Sequence, residues 1–373
     1  MSRQLKSDLR TRFIEAERAC SCVIPSSANE ARRLRYATKS GKLFEVFQNV
    51  FARPEYWATL KQKQRALHIL RTEHAAHPTW VFCGPSAALI YGLSVSYHLL
   101  SEVHILTSRQ SHSRSSNGIC RHISTGQVTA VVREMPVTTL MQTVYDCLRT
   151  TDFKNGMAIA DSALHLGLSS KEELLRFFEQ QDKRNKGHSQ AISTILHSDA
   201  RAESGGESIA RATIIEQGFE LPDLQHVVQD PVDESLEYRV DFWWELEDQS
   251  VIIGELDGHD KYIDPEMTMG KSIVEVMADE RLRESRVCGT GARVMRFSYA
   301  DVLNTSYFVH LLESFGVPRT QASIESTTVR MSTQEACLLE VMRNEALRCW
   351  NLYRDAQANG GFQEMSAHKE RVA

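Results

Sequence analysis

The 373-residue sequence has no apolar run of membrane-spanning length, so it offers no candidate transmembrane helix. Its first residues, MSRQLKSDLRTRF, lack the apolar core of a secretory signal. A cytoplasmic location is the expectation. The eight cysteines also lack the paired spacing of a zinc motif: only Cys20 and Cys22 lie close together, and no second pair follows. Reduced, mostly buried thiols are therefore expected. Neither sign of charge dominates, the net being −5, and 42% apolar with 24% charged residues is the make-up of a globular chain. At this length two or three domains are expected.

The charge is unevenly spread. Residues 1–71 hold 15 Lys and Arg against 6 acids, a net of +9 that leaves −14 for the remainder. A basic front segment on an acidic body fits an electrostatic footprint for nucleic acid. Within it, a charged helix is expected over 1–20, a break at Pro25-Ser26-Ser27, and a second helix over 28–40 closed by Gly41. A small hairpin or wing fits KLFEVFQNVF at 42–51. Helix, glycine, strand and basic flank together suggest a winged helix-turn-helix over 1–77. Arg32, Arg33, Arg35, Lys39 and Lys42 are then its candidate DNA contacts. The plainer reading is that they solvate a helix face.

A further helix is expected over 54–77, a short strand at 80–82 and a helix from Gly84 to Gly92. Strands at 103–107, 119–123 and 127–135 follow, then helices over 138–150, 153–166 and 169–180. These make an α+β middle region at 78–180, in which Ser170 and Glu173 form a capping box. Residues 181–201 are polar and read as a linker to a domain at 202–318. A tail at 319–373 carries one helix opened by the box Ser332-x-x-Glu335.

The domain at 202–318 contains YRVDFWW and VIIGELDGHDKY. Strand alternation places Tyr238, Val240, Phe242 and Trp244 on one face with Asp241 opposite. It likewise places Val251, Ile253, Glu255 and Asp257 on one face of the next strand. Carboxylates ending an apolar strand are costly to bury without positive charge nearby. A divalent metal with oxygen ligands is one answer, and such metals serve phosphate chemistry. Around these strands the order is α-β-β-β-α-β-α, with a helix at 204–217, strands at 225–229, 238–244 and 251–257, a helix at 271–287, a strand at 292–297 and a helix at 299–315. That order implies a mixed sheet flanked by helices, with the late β-α-β step parallel. The fold class is a multidomain chain of α/β and α+β parts.

ESGGES on the helix, YRVDFWW on the second strand and GELDG on the third place Glu207, Asp241 and Glu255 in an order that resembles the PD-(D/E)XK nuclease superfamily. GELDGHDKY and ERLRESRVCGTGARVMRFSYADV are similar to its very-short-patch-repair branch, over about residues 200–315. The resemblance implies a restriction-endonuclease-like core with a mixed sheet. It implies Mg²⁺ or Mn²⁺ on Asp241 and Glu255, with the Leu256 carbonyl as third ligand and Glu207 reaching the ion through water. The lysine position of the superfamily holds Asp257 here, and Lys261 is the substitute; Asp257 is otherwise a further ligand. Each acid also has a duller reading. Glu207 closes a capping box, Asp241 pairs with Arg239 or Arg296, and Asp257-Gly258 is an ordinary turn.

The front half resembles another family. ARRLRYATKSGKLFEVFQNVFARPEYW, WVFCGPSAALIYGL and MPVTTLMQTVYDCLRTTDFKNGMAIADSAL are similar to segments of AbiEi-type antitoxins. In that family the front domain binds promoter DNA and represses its own operon. Together the resemblances imply a DNA-binding protein with an endonuclease-like C-terminal domain, serving phage defence or DNA repair. The alternative is a non-enzymatic regulator or antitoxin with a degenerate nuclease fold and a cognate toxin as partner.

Overall fold

The computed structural model describes residues 3–107, 115–116, 118–123, 128–233, 235–257 and 273–320. The chain divides into two units that part between Cys147 and Leu148. Among the described residues, no helix is long and apolar enough to cross a membrane.

The first unit opens with α1 (Arg3–Arg18) and α2 (Ala28–Lys39), followed by the antiparallel hairpin β1 (Phe44–Phe47) and β2 (Val50–Ala52). Ser27 caps α2 through the Glu30 amide, and Gly41 leaves the helix at φ +70°. Asn49 turns the hairpin at φ +56°, a conformation asparagine tolerates better than most residues. Phe13, Val23, Leu34, Leu43 and Phe51 form the core under this segment.

The single helix expected over 54–77 is two: α3 (Pro54–Thr59) and α4 (Gln62–Ala76). Leu60 and Lys61 are extended between them, and the Tyr56 hydroxyl meets His68 Nε2 at 2.8 Å across the break. After α5 (Gly84–Tyr91) come β3 (Val103–Thr107), β4 (Ser115–Ser116), β5 (Ile119–Ile123), β6 (Thr129–Val132) and β7 (Met135–Thr138). The strand expected at 80–82 is reduced to bridges made by Phe82. The run 127–135 is not one strand: Arg133 and Glu134 both take positive φ and fold it into the β6–β7 hairpin, as a two-residue primed turn requires. Helix α6 (Leu140–Thr150) spans the boundary between units.

The second unit starts with α7 (Phe153–His165), α8 (Lys171–Glu179) and α9 (His188–His197). Ser170 and Glu173 do form the capping box at the start of α8. Residues 181–201, expected as a linker, contain α9, which buries Ala191, Ile192 and Ile195. Its apolar residues recur at helical spacing inside a polar stretch, and that spacing outweighs the average polarity. Helices α7 to α9 therefore belong with the C-terminal unit and not with a middle region ending at 180. The tie is explicit: Arg211 Nη2 donates to both oxygens of the fully buried Asp161 at 3.0 and 3.1 Å, and its Nη1 donates to the His197 carbonyl at 2.7 Å.

Arg211 lies on α10 (Gly205–Glu216), which is followed by β8 (Asp223–Gln229), β9 (Glu237–Glu245), β10 (Val251–Asp257), α11 (Ile273–Cys288) and β11 (Arg293–Ser298). The strands form one sheet in the order β11-β10-β9-β8. β8, β9 and β10 pair antiparallel, and β10 and β11 pair parallel, so the sheet is mixed. The helix expected over 299–315 is α12 (Tyr299–Leu303) and α13 (Thr305–Phe315), parted where the Asn304 side chain accepts from the Tyr307 amide and starts a new helix. The tail helix expected from Ser332 lies outside the described residues.

Each face of the sheet carries its own core. Leu224, Phe242, Trp244, Ile252 and Phe297 pack with Ile209, Ala210 and Ile214 of α10 and with Phe308 and Leu312 of α13. Val228, Val240 and Ile253 pack with Val287 of α11. The four alternating residues of β9 therefore do not share a face. Tyr238 and Val240 lie toward α11, whereas Phe242 and Trp244 lie toward α10. The reversal falls at Asp241 and Gln225, the one pair skipped in the β8–β9 register, where Gln225 stands at φ +54°.

Candidate functional site

The reversal in β9 sets Asp241 where β9 and β10 part. Strand pairing between them stops at Phe242↔Gly254. Just beyond, Asp241 Oδ2 accepts from the Leu256 amide at 2.8 Å. An irregular ladder residue of this kind commonly re-aims a side chain beside a functional site.

Glu207 approaches Asp241 from α10. Its own amide donates to Ser204 Oγ at 3.1 Å, and its carboxylate accepts from Ser204 Oγ at 2.7 Å and from the Glu203 amide at 2.9 Å. It thus serves the helix start, but not as the capping box expected, since its carboxylate takes the Glu203 amide and not that of Ser204. It also faces the strand ends. Gln225 Nε2 donates to Glu207 Oε2 at 3.0 Å and reaches Asp241 Oδ1 at 3.5 Å. Burial, with the negative charge of Asp241 beside it, raises the Glu207 carboxyl above the ordinary range. The two carboxylates are thus neighbours joined by a neutral amide.

Glu255 is arranged differently. It shares the face of Ile253, toward α11, and is buried there. Arg283 of α11 donates to Glu255 Oε1 at 3.0 Å and to the Arg239 carbonyl at 2.7 Å. Asp257, one step further on the same face, is held by Arg296 of β11 at 2.5 and 3.1 Å, and Arg296 also reaches Glu284 at 3.4 Å. The structure therefore brings Glu207 and Asp241 together and ties Asp241 to the backbone beside Glu255. It does not gather the three carboxylates into one cluster of metal-ligand spacing. Neither Arg239 nor Arg296 is the partner of Asp241: Arg239 reaches Glu203 at 2.8 Å. Lys261 lies outside the described residues.

Of the proposed DNA contacts, Arg32, Arg35, Lys39 and Lys42 are exposed and Arg33 is half-buried. Arg35 is partly committed, donating to Asn49 Oδ1 at 2.5 Å and lying 4.0 Å from Glu45, which ties α2 to the hairpin turn. Tyr36, between Arg35 and Ala37, is 76% exposed and extends this surface.

One cluster was not anticipated from the sequence. Among the described residues, His104, Cys120 and His122 are the group of three whose ligand atoms all lie within 4.8 Å of one another. Cysteine counting by paired spacing misses it, because one thiol and two imidazoles come from two strands. The usable signal was Cys120-x-His122 in a strand, since alternation puts both side chains on one face.

Two proteins of Mycobacterium tuberculosis, from strains CDC 1551 / Oshkosh and H37Rv, are each 28% identical to this chain over 213 residues, covering 57% of it and 74% of the relative. Both are described as uncharacterized. No family model matches the chain. No solved structure matches it.

Proposed function

We propose that the protein binds DNA through its front unit and that its C-terminal unit is a restriction-endonuclease-like phosphodiesterase using Mg²⁺ or Mn²⁺, in the cytoplasm, in phage defence or DNA repair. The observation that carries the reading is Asp241. It is a strand-end carboxylate turned out of register, bonded to the Leu256 amide and paired with the buried acid Glu207. Two neighbouring carboxylates whose charges repel fit a hard divalent cation, which favours oxygen ligands. Asp241 would hold it, Glu207 would reach it directly or through water, and Glu255 would join once released by Arg283. Bound there, such an ion supplies Lewis acidity toward phosphate and acidifies water. Arg283 and Arg296, beside the same strand end, are suited to phosphate oxygens. Lys261 is the proposed orienting base. Arg32, Arg33, Arg35, Lys39 and Lys42 on a winged-helix-like front segment are proposed to bind the DNA backbone.

A second reading has its own support. Arg283 and Arg296 already neutralise Glu255 and Asp257. A degenerate nuclease fold serving a regulator or antitoxin, with a cognate toxin as partner, would be stabilised in this way. Nicking of supercoiled plasmid with Mg²⁺ or Mn²⁺ separates the two. The nuclease reading expects nicking that Asp241→Ala and Glu255→Ala both abolish. Equal background in the wild type and both variants leaves the regulator.

A further inference from the structure

The second cluster is built by strand pairing. β3 and β5 run parallel with His104 opposite Cys120 and Leu106 opposite His122. Register partners in a parallel pair point to the same face, and residues two apart share it. His104, Cys120 and His122 are therefore presented together, all half-buried. The position of His104 is fixed from its backbone. Its amide donates to Ser86 Oγ at 2.9 Å, and its carbonyl accepts from the Cys83 amide at 3.1 Å.

The ligand atoms stand close to the spacing a tetrahedral ion requires. His104 Nδ1 is 2.9 Å from His122 Nε2, and Cys120 Sγ is 3.4 Å from the same nitrogen. With metal–nitrogen bonds near 2.0–2.1 Å and metal–sulfur near 2.3 Å, tetrahedral edges are about 3.3 Å and about 3.6 Å. Opening the first pair by about 0.4 Å and the second by about 0.2 Å admits the ion. Both shifts lie within side-chain rotation on strands that are already paired.

From this geometry we propose that His104, Cys120 and His122 form a transition-metal site for a borderline-soft divalent cation of the Zn²⁺ class. Two imidazoles and a thiolate suit zinc or cobalt and disfavour Mg²⁺, which demands oxygen ligands. Three protein ligands leave the fourth position to water or an exchangeable ligand. Binding converts the Cys120 thiol to thiolate and releases its proton to solvent, while each imidazole stays neutral and shifts its N–H to the nitrogen facing away from the ion. The site lies within the first unit, uses none of the acids of the C-terminal unit and stands without the nuclease reading.

Cobalt reports on this directly. The full chain, stripped of metal, should bind one Co²⁺ with a thiolate-to-cobalt charge-transfer band and the intense visible bands of tetrahedral cobalt. Zn²⁺ should displace it and a large excess of Mg²⁺ should not. Cys120→Ser should abolish the charge-transfer band, and His122→Gln should weaken binding at least ~100-fold, the upper end of what loss of an outer-shell partner costs. Any Co²⁺ taken up at the carboxylates of the C-terminal unit would carry no thiolate band, so the band counts the His104–Cys120–His122 site alone. In the wild type, Zn²⁺ but not Mg²⁺ should slow alkylation of Cys120 as located by mass spectrometry, a reading that needs no variant to fold. A wild type with native circular dichroism and no charge-transfer band, a band that survives Cys120→Ser, or alkylation of Cys120 indifferent to Zn²⁺ overturns the proposal.

Discussion

Replacing Arg211 by methionine tests the assignment of helices α7 to α9 to the C-terminal unit. Arg211 and Asp161 are 5% and 0% exposed, and the guanidinium gives the carboxylate two hydrogen bonds at 3.0 and 3.1 Å. Arg211→Met keeps the apolar bulk and removes the charge. Asp161 would keep the Asp199 amide, which donates at 2.7 Å, but would lose its counter-charge in a dry site. Stranding one member of a buried pair costs about 3–5 kcal/mol. For a unit of this size each kcal/mol shifts the melting temperature by about 2–4 °C, so a loss of about 6–20 °C is expected. Burial already raises the Asp161 carboxyl against the pull of Arg211. Without that pull it rises further. A raised carboxyl binds more protons folded than unfolded, so its penalty grows as pH rises and shrinks as pH falls. The deficit of Arg211→Met should therefore narrow on acidification. Arg211→Met with Asp161→Asn should recover most of it, since the amide oxygen still accepts from Asp199 and carries no charge. Differential scanning calorimetry across pH makes the comparison. A single variant melting within about 2 °C of the wild type would refute the pair as the clamp between α7 and α10.

Burial raises Glu73 in α4 from 4.5 to about 7. Stability of the first unit should be fully present below the unfolded value and lost as pH rises through about 7, by about 3 kcal/mol in all, and Glu73→Gln should remove that slope in chemical denaturation. Arg283→Met should remove that arginine from Glu255 and tighten Mn²⁺ binding at the C-terminal acids by about tenfold in calorimetric titration, because a charged hydrogen bond worth about 1.5 kcal/mol no longer competes. Unchanged affinity would place the ion elsewhere. Neutralising Arg32, Arg33 and Arg35 together should lower the slope of log affinity against log salt by up to about 2.7, at about 0.9 per phosphate contact, and an unaltered slope in fluorescence anisotropy would remove this helix from the DNA surface.

Element order was legible in the C-terminal unit because its strands are apolar runs bounded by polar breaks and its helices carry caps, as at Ser170 and Ser204. The mixed sheet followed from that order. Breaks inside elements were not legible. The extended pair Leu60-Lys61 and the turn Arg133-Glu134 contain no Gly, Pro, Asn or Asp to announce them, and at Asn304 the one signal is an N-cap residue inside an apolar helical pattern. The linker reading failed because polarity was averaged over 181–201 while the apolar stripe of α9 occupied only its second half. The reversal at Asp241 escaped for a related reason. Period-two alternation presumes an unbroken ladder, and the left-handed Gln225 on the neighbouring strand is what breaks it.

That reversal bears on how the acids work together. Val240 lies toward α11 and Phe242 toward α10, so Asp241 stands where β9 changes face. There the Gln225 amide links it to Glu207 on one side, and it accepts from the Leu256 amide on the other. On the proposed metal-dependent reading, a cation at Asp241 would offset its repulsion of Glu207 and compete with Arg283 for Glu255. Release of Arg283 would free a guanidinium at the strand end just as the acids gain a cation. On the proposed reading, Arg283 would leave a carboxylate for a phosphate, an exchange a purely architectural ion pair would not make. It predicts that a nicking-defective Lys261→Ala variant still shows Mn²⁺-dependent DNA binding, and that Arg283→Met does not. Equal Mn²⁺ response in both would leave the Glu255–Arg283 pair as scaffold.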